Sequence, residues 1–328
     1  MMKNISIFSA VLLLLCSCEH NLAQDAYFNV TLSSENTYRA GEPVVFEFRG
    51  DIDNILFYSG ELGFEYQFRE RYSVPVESVR SAFLNLEYQA RYGSPDAMEV
   101  WISSEFKGLS GNDGEADRKT IAQMASDMKE WTRLNYAEGS STEWTEQSYA
   151  LIDSLAAKQN ITLAFHWNPK FYRDDANDKY LAQRTYWING NISFDIEGVN
   201  AVPVDLSEIS FTTVMMNEEV LDPYYKNSGN GSIVLNSSNA DLIFQGVGER
   251  DMLNYAIDAW AISAPIDLNS VANDQGIVIK NQQNYLENYS YTYEKPGTYV
   301  VTFVGSNSNY MSSTSEVKEI TLTILEKM

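Results

Sequence analysis

Residues 289–303 read Tyr-Ser-Tyr-Thr-Tyr-Glu-Lys-Pro-Gly-Thr-Tyr-Val-Val-Thr-Phe. Tyr289-Ser290-Tyr291-Thr292-Tyr293 leads into Lys295-Pro296-Gly297, a turn in which Pro and Gly each supply special backbone angles. Beyond it Tyr299, Val301 and Phe303 share one face of a strand, and Ile320, Leu322 and Ile324 share one face of the last. The beginning of the chain has the same character. Phe28-Asn29-Val30-Thr31-Leu32 alternates apolar and polar, Arg39-Ala40-Gly41-Glu42-Pro43 turns, and Val44, Phe46 and Phe48 line up again. Gly50 to Asn54 turns the chain into Ile55-Leu56-Phe57-Tyr58, which stops at Ser59-Gly60-Glu61-Leu62-Gly63. Both ends are therefore β, with more than 200 residues between them.

The closing stretch, Tyr289 to Phe303, resembles the end of a polycystic-kidney-disease (PKD) domain. That family closes an immunoglobulin-like sandwich with a Tyr, a Pro-Gly turn and an alternating strand. Its opening half carries Gly-Glu and an aromatic corner, matched here by Gly41-Glu42 and by Phe57 to Gly63. Ser59-Gly60-Glu61 departs from the Phe-Gly-Asp of that corner. The resemblance implies one sandwich split in two, from residues 27–68 and 285–328. Two separate all-β pieces are the alternative.

Residues 69–284 are long enough for an inserted domain. Leu84, Leu86 and Tyr88 alternate, as do Met98, Val100 and Ile102; Ile161, Leu163, Phe165 and Trp167; and Ile192, Phe194 and Ile196. Short strands with loops between them imply a second sandwich. The run Met98 to Gly108, the Ile161 strand and Tyr186-Trp187-Ile188 resemble the jelly-roll domains of Bacteroidetes surface proteins, which bind ligands at loop tips or on a concave sheet face. Two segments have helical spacing instead. Ile121, Met124, Ala125, Met128 and Trp131 recur within 117–134, with Asp117 as the expected cap. Trp144, Ser148, Leu151, Ile152 and Leu155 recur within 143–157. The expected fold class is mainly β: a PKD-like sandwich from both chain ends, and a jelly-roll-like insert with one or two short helices.

The start of the chain gives an address. Met-Met-Lys, an apolar run through Leu15 and small residues at the cut form a secretion signal over 1–17, too short to span a membrane. Leu15-Cys16-Ser17-Cys18 resembles the bacterial lipobox, which implies a lipidated Cys18 and a tether over 18–26; the expected location is the outer membrane, facing the cell exterior, with the periplasmic face as the alternative. Only two cysteines occur, Cys16 and Cys18, so the mature chain has no disulfide and no thiolate metal site. Lys and Arg total 23 against 45 Asp and Glu. Losing Lys3 with the signal takes the net charge from −22 to −23. Such a balance opposes nucleic acid and anionic membranes as partners. It is compatible with neutral polymers and cations.

The arrangement as a whole is similar to an uncharacterised Bacteroidetes lipoprotein family carrying domain of unknown function 5017. The residues behind this are the lipobox, Ile55 to Gly63, Trp260 to Leu268 and Tyr289 to Phe303. The resemblance implies a surface lipoprotein of the kind associated with glycan capture, and it carries over no catalytic residues.

No Gly-x-Ser-x-Gly elbow, His-Glu-x-x-His or phosphate-binding glycine loop occurs, and the only histidines are His20 and His166. A non-enzyme is expected. Glycosidases need two carboxylates flanking a sugar bond, and 45 acidic residues nominate no pair. A glycan site needs an aromatic platform with polar partners; the candidates are Trp101, Trp131, Trp144, His166, Tyr186 and Trp187. Calcium takes six to eight oxygens, which suits two acidic loops: Asp113, Glu115 and Asp117, and Asp174, Asp175 and Asp178. The expected function is that of a cell-surface lipoprotein, attached to the membrane through its lipid, that binds a polysaccharide or glycoconjugate. A structural or protein-binding part of an outer-membrane transporter complex is the alternative, and a glycosidase the third.

Overall fold

Alternation in the sequence becomes two-sidedness in the structure. The computed structural model describes residues 22–33, 37–93, 95–135, 139–151, 160–169, 173–174, 179–180, 183–217, 231–246 and 257–328. The chain divides into two units, Met1–Arg71 with Asn273–Met328, and Tyr72–Ala272. The signal segment and Cys18 lie outside the described residues.

In the first unit, strands numbered in chain order are β1 (Tyr27–Leu32), β2 (Tyr38–Arg39), β3 (Pro43–Asp51) and β4 (Asn54–Tyr58). After the insert come β19 (Ile277–Lys280), β20 (Asn288–Thr292), β21 (Gly297–Ser308) and β22 (Ser313–Leu325). They form a three-stranded sheet, β1-β3-β20, and a five-stranded sheet, β19-β4-β21-β22-β2. The alternating residues of both sheets meet in one core: Phe28, Val30, Val44, Phe46, Ile55, Phe57, Tyr293, Val301, Phe303, Leu322 and Ile324. Phe303 packs its ring 5.1 Å from Phe46 and 5.3 Å from Phe57. Burying each such ring contributes roughly 1.5–3 kcal/mol.

The boundary on the return side falls earlier than the sequence suggests. Residues 277–280 were expected in the insert, yet Ile277 pairs with Phe57 and Val278 with Leu56. This short strand is the edge of the five-stranded sheet, and its exposed Ile277 and Val278 give no alternation to read. Gly60 holds the corner after β4. Its φ is +79°, and a Cβ there would lie 2.7 Å from the Val300 carbonyl oxygen, so only glycine fits.

The second unit contains β5 (Val79–Arg91), β6 (Met98–Ser103), α1 (Gly114–Asp127), β7 (Thr132–Leu134), β8 (Thr145–Ala150), β9 (Asn160–Trp167), β10 (Arg173–Asp174) and β11 (Lys179–Tyr180). These are followed by β12 (Thr185–Ile196), β13 (Val204–Asp205), β14 (Phe211–Met215), β15 (Ser232–Leu235), β16 (Leu242–Gln245), β17 (Ala259–Ser263) and β18 (Ile266–Asp267). One six-stranded sheet has the order β15-β16-β12-β5-β8, with β13 also on β12. The other runs β14-β17-β9-β6-β7, with β18 also on β9. Leu84, Leu86 and Tyr88 of the first sheet and Val100, Ile102, Leu163, Phe165 and Trp167 of the second share a core. The fold is thus mainly β, with sandwich-like packing and a single α-helix among the described residues.

That helix corrects two expectations. Its N-cap is Asp113, not Asp117: the Asp113 carboxylate accepts from the Ala116 N–H at 3.0 Å. It ends at Met128, which adopts a left-handed conformation, so Trp131 lies beyond it. Ile121 and Met124 pack onto the outward face of the second sheet, against Trp101, Trp131, Val214, Trp260 and Ile262. The second expected helix, over 143–157, is instead β8 in its described part. Tyr149 pairs with Leu84 and Glu146 with Glu87. The apolar spacing there fits a helix, but Thr145 and Tyr149 favour strands, and the edge of β5 offers backbone partners.

Candidate functional site

The polar side of the β5–β12 pair carries the most developed arrangement of side chains. Leu84, Leu86 and Tyr88 point to the core, so the period of two puts Asn85 and Glu87 on the other face. Pairing brings Ser148 and Glu146 of β8 opposite them on one side, and Asn191 and Asn189 of β12 on the other. The result is a groove of about 780 Å³ whose lining includes Asn85, Glu87, Glu146, Asn189, Asp205 and Asp241. Gly190 lies in its floor, where a Cβ would come 2.5 Å from the Asn85 carbonyl oxygen.

Asn85 is the hub. Its Nδ2 donates to Asn191 Oδ1 and to Ser193 Oγ, both at 3.0 Å, while its Oδ1 accepts from Ser148 Oγ at 2.8 Å. Asn189 and Asp241 form a reciprocal pair. The Asp241 N–H donates to Asn189 Oδ1 at 3.0 Å, and the Gly190 N–H donates to Asp241 Oδ2 at 3.1 Å. Burial pushes the Asp241 carboxyl above the usual aspartate range, the Gly190 hydrogen bond pulls it back, and the nearby Asp205 charge pushes it up again. Glu87 and Glu146 are direct cross-strand neighbours. Like charges so placed cost a few tenths to about 1 kcal/mol, an expense that donors on a bound molecule would offset.

The groove is thus acceptor-rich, its asparagines and Asp241 are fixed by hydrogen bonds, and no Lys or Arg stands among its described lining residues. Such a surface suits a molecule with many hydroxyl donors and no negative charge.

The aromatic candidates divide. Trp187 lies on the same face, one outward position along β12 from Asn189, and the Arg91 guanidinium sits 3.7 Å over its ring. Trp144, just before β8, is 38% exposed. Tyr186 and Trp131 are buried, which removes them as sugar platforms. Trp101 is half-buried beside the helix cluster, and its Nε1 donates to Glu99 at 3.4 Å. His166 does face away from the core, but both ring nitrogens are occupied: Nε2 lies 2.9 Å from Asp258 and Nδ1 3.3 Å from Glu99. Its ring stacks on Trp260 at 4.1 Å. That geometry makes it a bridge between strands rather than an open base.

The first acidic loop is put to other uses. The buried Asp117 carboxylate accepts from the Ser110 and Gly111 N–H groups at 2.7 and 2.9 Å. Asp113 is the helix cap, and Glu115 is exposed in the first turn, where its charge complements the helix dipole. Asp174 contributes its backbone to β10, while Asp175 and Asp178 lie outside the described residues. Among the described residues no three His, Cys, Asp or Glu side chains come together to hold a metal ion.

Sequence reasoning missed Asn85, Glu87, Glu146, Asn189, Asn191, Asp205 and Asp241. The one available signal was the polar half of the Leu84–Leu86–Tyr88 alternation, since the positions between core residues must face outward together. No curated protein and no solved structure matches the chain. The model of one family, described as a domain of unknown function (DUF5017), matches residues 17–206. That span holds β5, β8, β12 and β13, and with them most of the groove. Because it covers more than half of the 328 residues, the chain belongs to the DUF5017 family.

Proposed function

We propose that the protein is a non-enzymatic, lipid-anchored surface protein that captures an uncharged polysaccharide or glycoconjugate in the groove on β5, β8 and β12. The observation that carries this reading is the preorganised set of amides and hydroxyls around Asn85 beside the lining carboxylates Glu87, Glu146 and Asp241. Vicinal sugar hydroxyls donate well to paired acceptors, and hydrogen bonds to charged groups contribute about 1.5–3 kcal/mol each. The secretion signal and Cys18 support the surface location, and the net charge of −22 argues against acidic glycans.

Affinity electrophoresis and a glycan array test it. Binding to a neutral polysaccharide is expected, weakened about 10-fold or more by Glu87→Gln, since about 1.4 kcal/mol corresponds to tenfold. Retention on no polysaccharide, or unchanged affinity in the Glu87 variant, would sink the reading. Co-purification with an outer-membrane transporter regardless of sugar would favour the structural alternative. The hydrolytic reading has one observation in its favour, the neighbouring Glu87 and Glu146 carboxylates; release of new reducing ends, lost in Glu146→Gln, is what it requires.

A further inference from the structure

The first unit has two distinct ends. At one, β1 begins at Tyr27 opposite Asp51, β4 begins at Asn54 opposite Ser306, and the β21–β22 hairpin turns between Ser308 and Ser313. At the other, Arg71 bonds Asp274 at 3.1 Å where the chain leaves the unit and returns to it.

The N-terminal segment is stitched to the hairpin end. The Ala23 N–H donates to Ser312 Oγ at 2.6 Å, and Thr314 Oγ1 donates to the Gln24 carbonyl at the same distance. Asn307 Nδ2 donates to the Asp25 carbonyl at 3.3 Å. The hairpin turn is itself fixed, because Asn309 Oδ1 accepts from the Met311 and Ser312 N–H groups at 2.9 and 3.0 Å. This turn holds Tyr310 and Met311 outward, 81% and 61% exposed. Tyr285, in a loop that Gln282 ties to Ser308, is 85% exposed at the same end.

We propose that this end of the unit rests on a zwitterionic lipid bilayer, with Tyr310 and Met311 of the hairpin turn in the interfacial layer. The inference depends on the lipoprotein reading of Cys18. Four residues lie between Cys18 and Ala23, and the five Cα-to-Cα steps, fully extended, span no more than about 18 Å. A lipid on Cys18 therefore brings the segment bonded to Ser312, and the turn beside it, to the membrane surface. Tyrosine suits that depth, with its ring in the apolar layer and its hydroxyl in water. Asp25, Asp51, Asp53, Glu287 and Glu316 outnumber Arg49, Lys280 and Lys318 at this end, so anionic lipid would repel it and neutral headgroups fit.

With Cys18 acylated, Tyr310→Cys places a single free thiol on the hairpin turn of the mature chain. A nitrobenzoxadiazole label there is read in phosphatidylethanolamine–phosphatidylcholine vesicles carrying a shallow nitroxide lipid. The control is Thr298→Cys, roughly 33 Å away along β21. Several-fold stronger quenching and a blue-shifted emission are expected at 310, and Met311→Cys repeats the measurement at the neighbouring position. Equal quenching at the hairpin turn and at 298 would overturn the contact. Mass spectrometry of the N-terminal peptide separates the two ideas. An acylated Cys18 with equal quenching defeats the contact alone, whereas a Cys18 without acyl chains defeats the contact and the lipoprotein reading together.

Discussion

In the unit built from the chain ends, polar side chains near the corner turn toward one another. Tyr293 is buried and donates its hydroxyl to the Ser59 carbonyl at 2.9 Å, while Tyr291 donates to Glu61 at 2.6 Å. Ser59 is itself buried and donates to the same Glu61 carboxylate at 3.1 Å. In the inserted unit, Asn85, Asn189, Asn191 and Asp241 bond laterally across the outward face of a sheet. Both arrangements are hydrogen-bonded networks, and the second leaves a row of carboxylates beside open volume. The difference separates a unit whose hydrogen bonds lock a corner from one whose hydrogen bonds hold a surface ready.

The largest test of that separation is a cavity in the first unit. Phe57 is fully buried and touches Phe46, Phe303, Tyr289 and Tyr291. Phe57→Ala should cost about 3–5 kcal/mol. The two units have separate cores, so hydrogen exchange should accelerate in β4 and β21 and stay slow in β5 and β12. Equal acceleration in both units would show that the cores are not energetically independent.

Alkaline pH sharpens the contrast further. Burial raises the Tyr289, Tyr291, Tyr293 and Tyr299 hydroxyls above the ordinary phenol range, Tyr291 to about 12. The negative charge of Glu61 adds to this for the last three. In the unfolded chain these phenols ionise near pH 10. The folded unit holds their protons longer, so the stability they contribute is fully present below pH 10 and is lost as pH rises from 10 toward 12. In the insert, burial raises the Tyr149 phenol in the same direction, and the nearby Tyr88 adds to it. Exchange monitored between pH 9 and 12 should show the first unit opening before the second, with a smaller lag in Tyr291→Phe. Simultaneous opening would contradict the assignment of the alkaline sensitivity to the tyrosine row.

How much of this was legible in the sequence follows from periodicity. Every core strand with clean alternation was readable: Phe28 and Val30, Val44 and Phe46, Val301 and Phe303, Ile161 to Trp167. Several strands were not, Phe211–Met215, Ser232–Leu235 and Leu242–Gln245 among them, and two others show why. Ile277–Lys280 is an exposed edge without contrast between its faces, and Thr145–Ala150 is polar enough that helical spacing of its neighbours prevailed. The groove was hidden for a related reason. Its residues are separated by up to 156 positions, from Asn85 to Asp241, and only strand pairing makes them neighbours. Aromatic residues attracted attention as sugar platforms because their chemistry is conspicuous, yet Tyr186 and Trp131 are core. Asparagine and glutamate on outward strand positions look like ordinary solvated surface until their partners are known.

Asp241 supplies the smallest and most specific test of the prepared surface. Its carboxyl titrates above the usual aspartate value because it is partly removed from water and faces Asp205, and the Gly190 N–H recovers only part of that cost. A raised value means that the folded state favours the proton. This group therefore contributes most to stability below the unfolded aspartate range near pH 4 and loses that contribution as pH rises through its folded value. Asn at this position removes the charge and keeps an oxygen for the Gly190 N–H. Asp241→Asn should then raise the melting temperature slightly at pH 7, by about 2 °C or less given the partial exposure of the group. The gain should shrink as pH falls through the folded value and the native carboxyl takes up its proton. If the same variant weakens binding of a neutral polysaccharide while stabilising the fold, the charge at Asp241 is retained for the ligand rather than for the sheet. A variant less stable at pH 7 would mean instead that the carboxylate supports the surface through contacts beyond the Gly190 N–H.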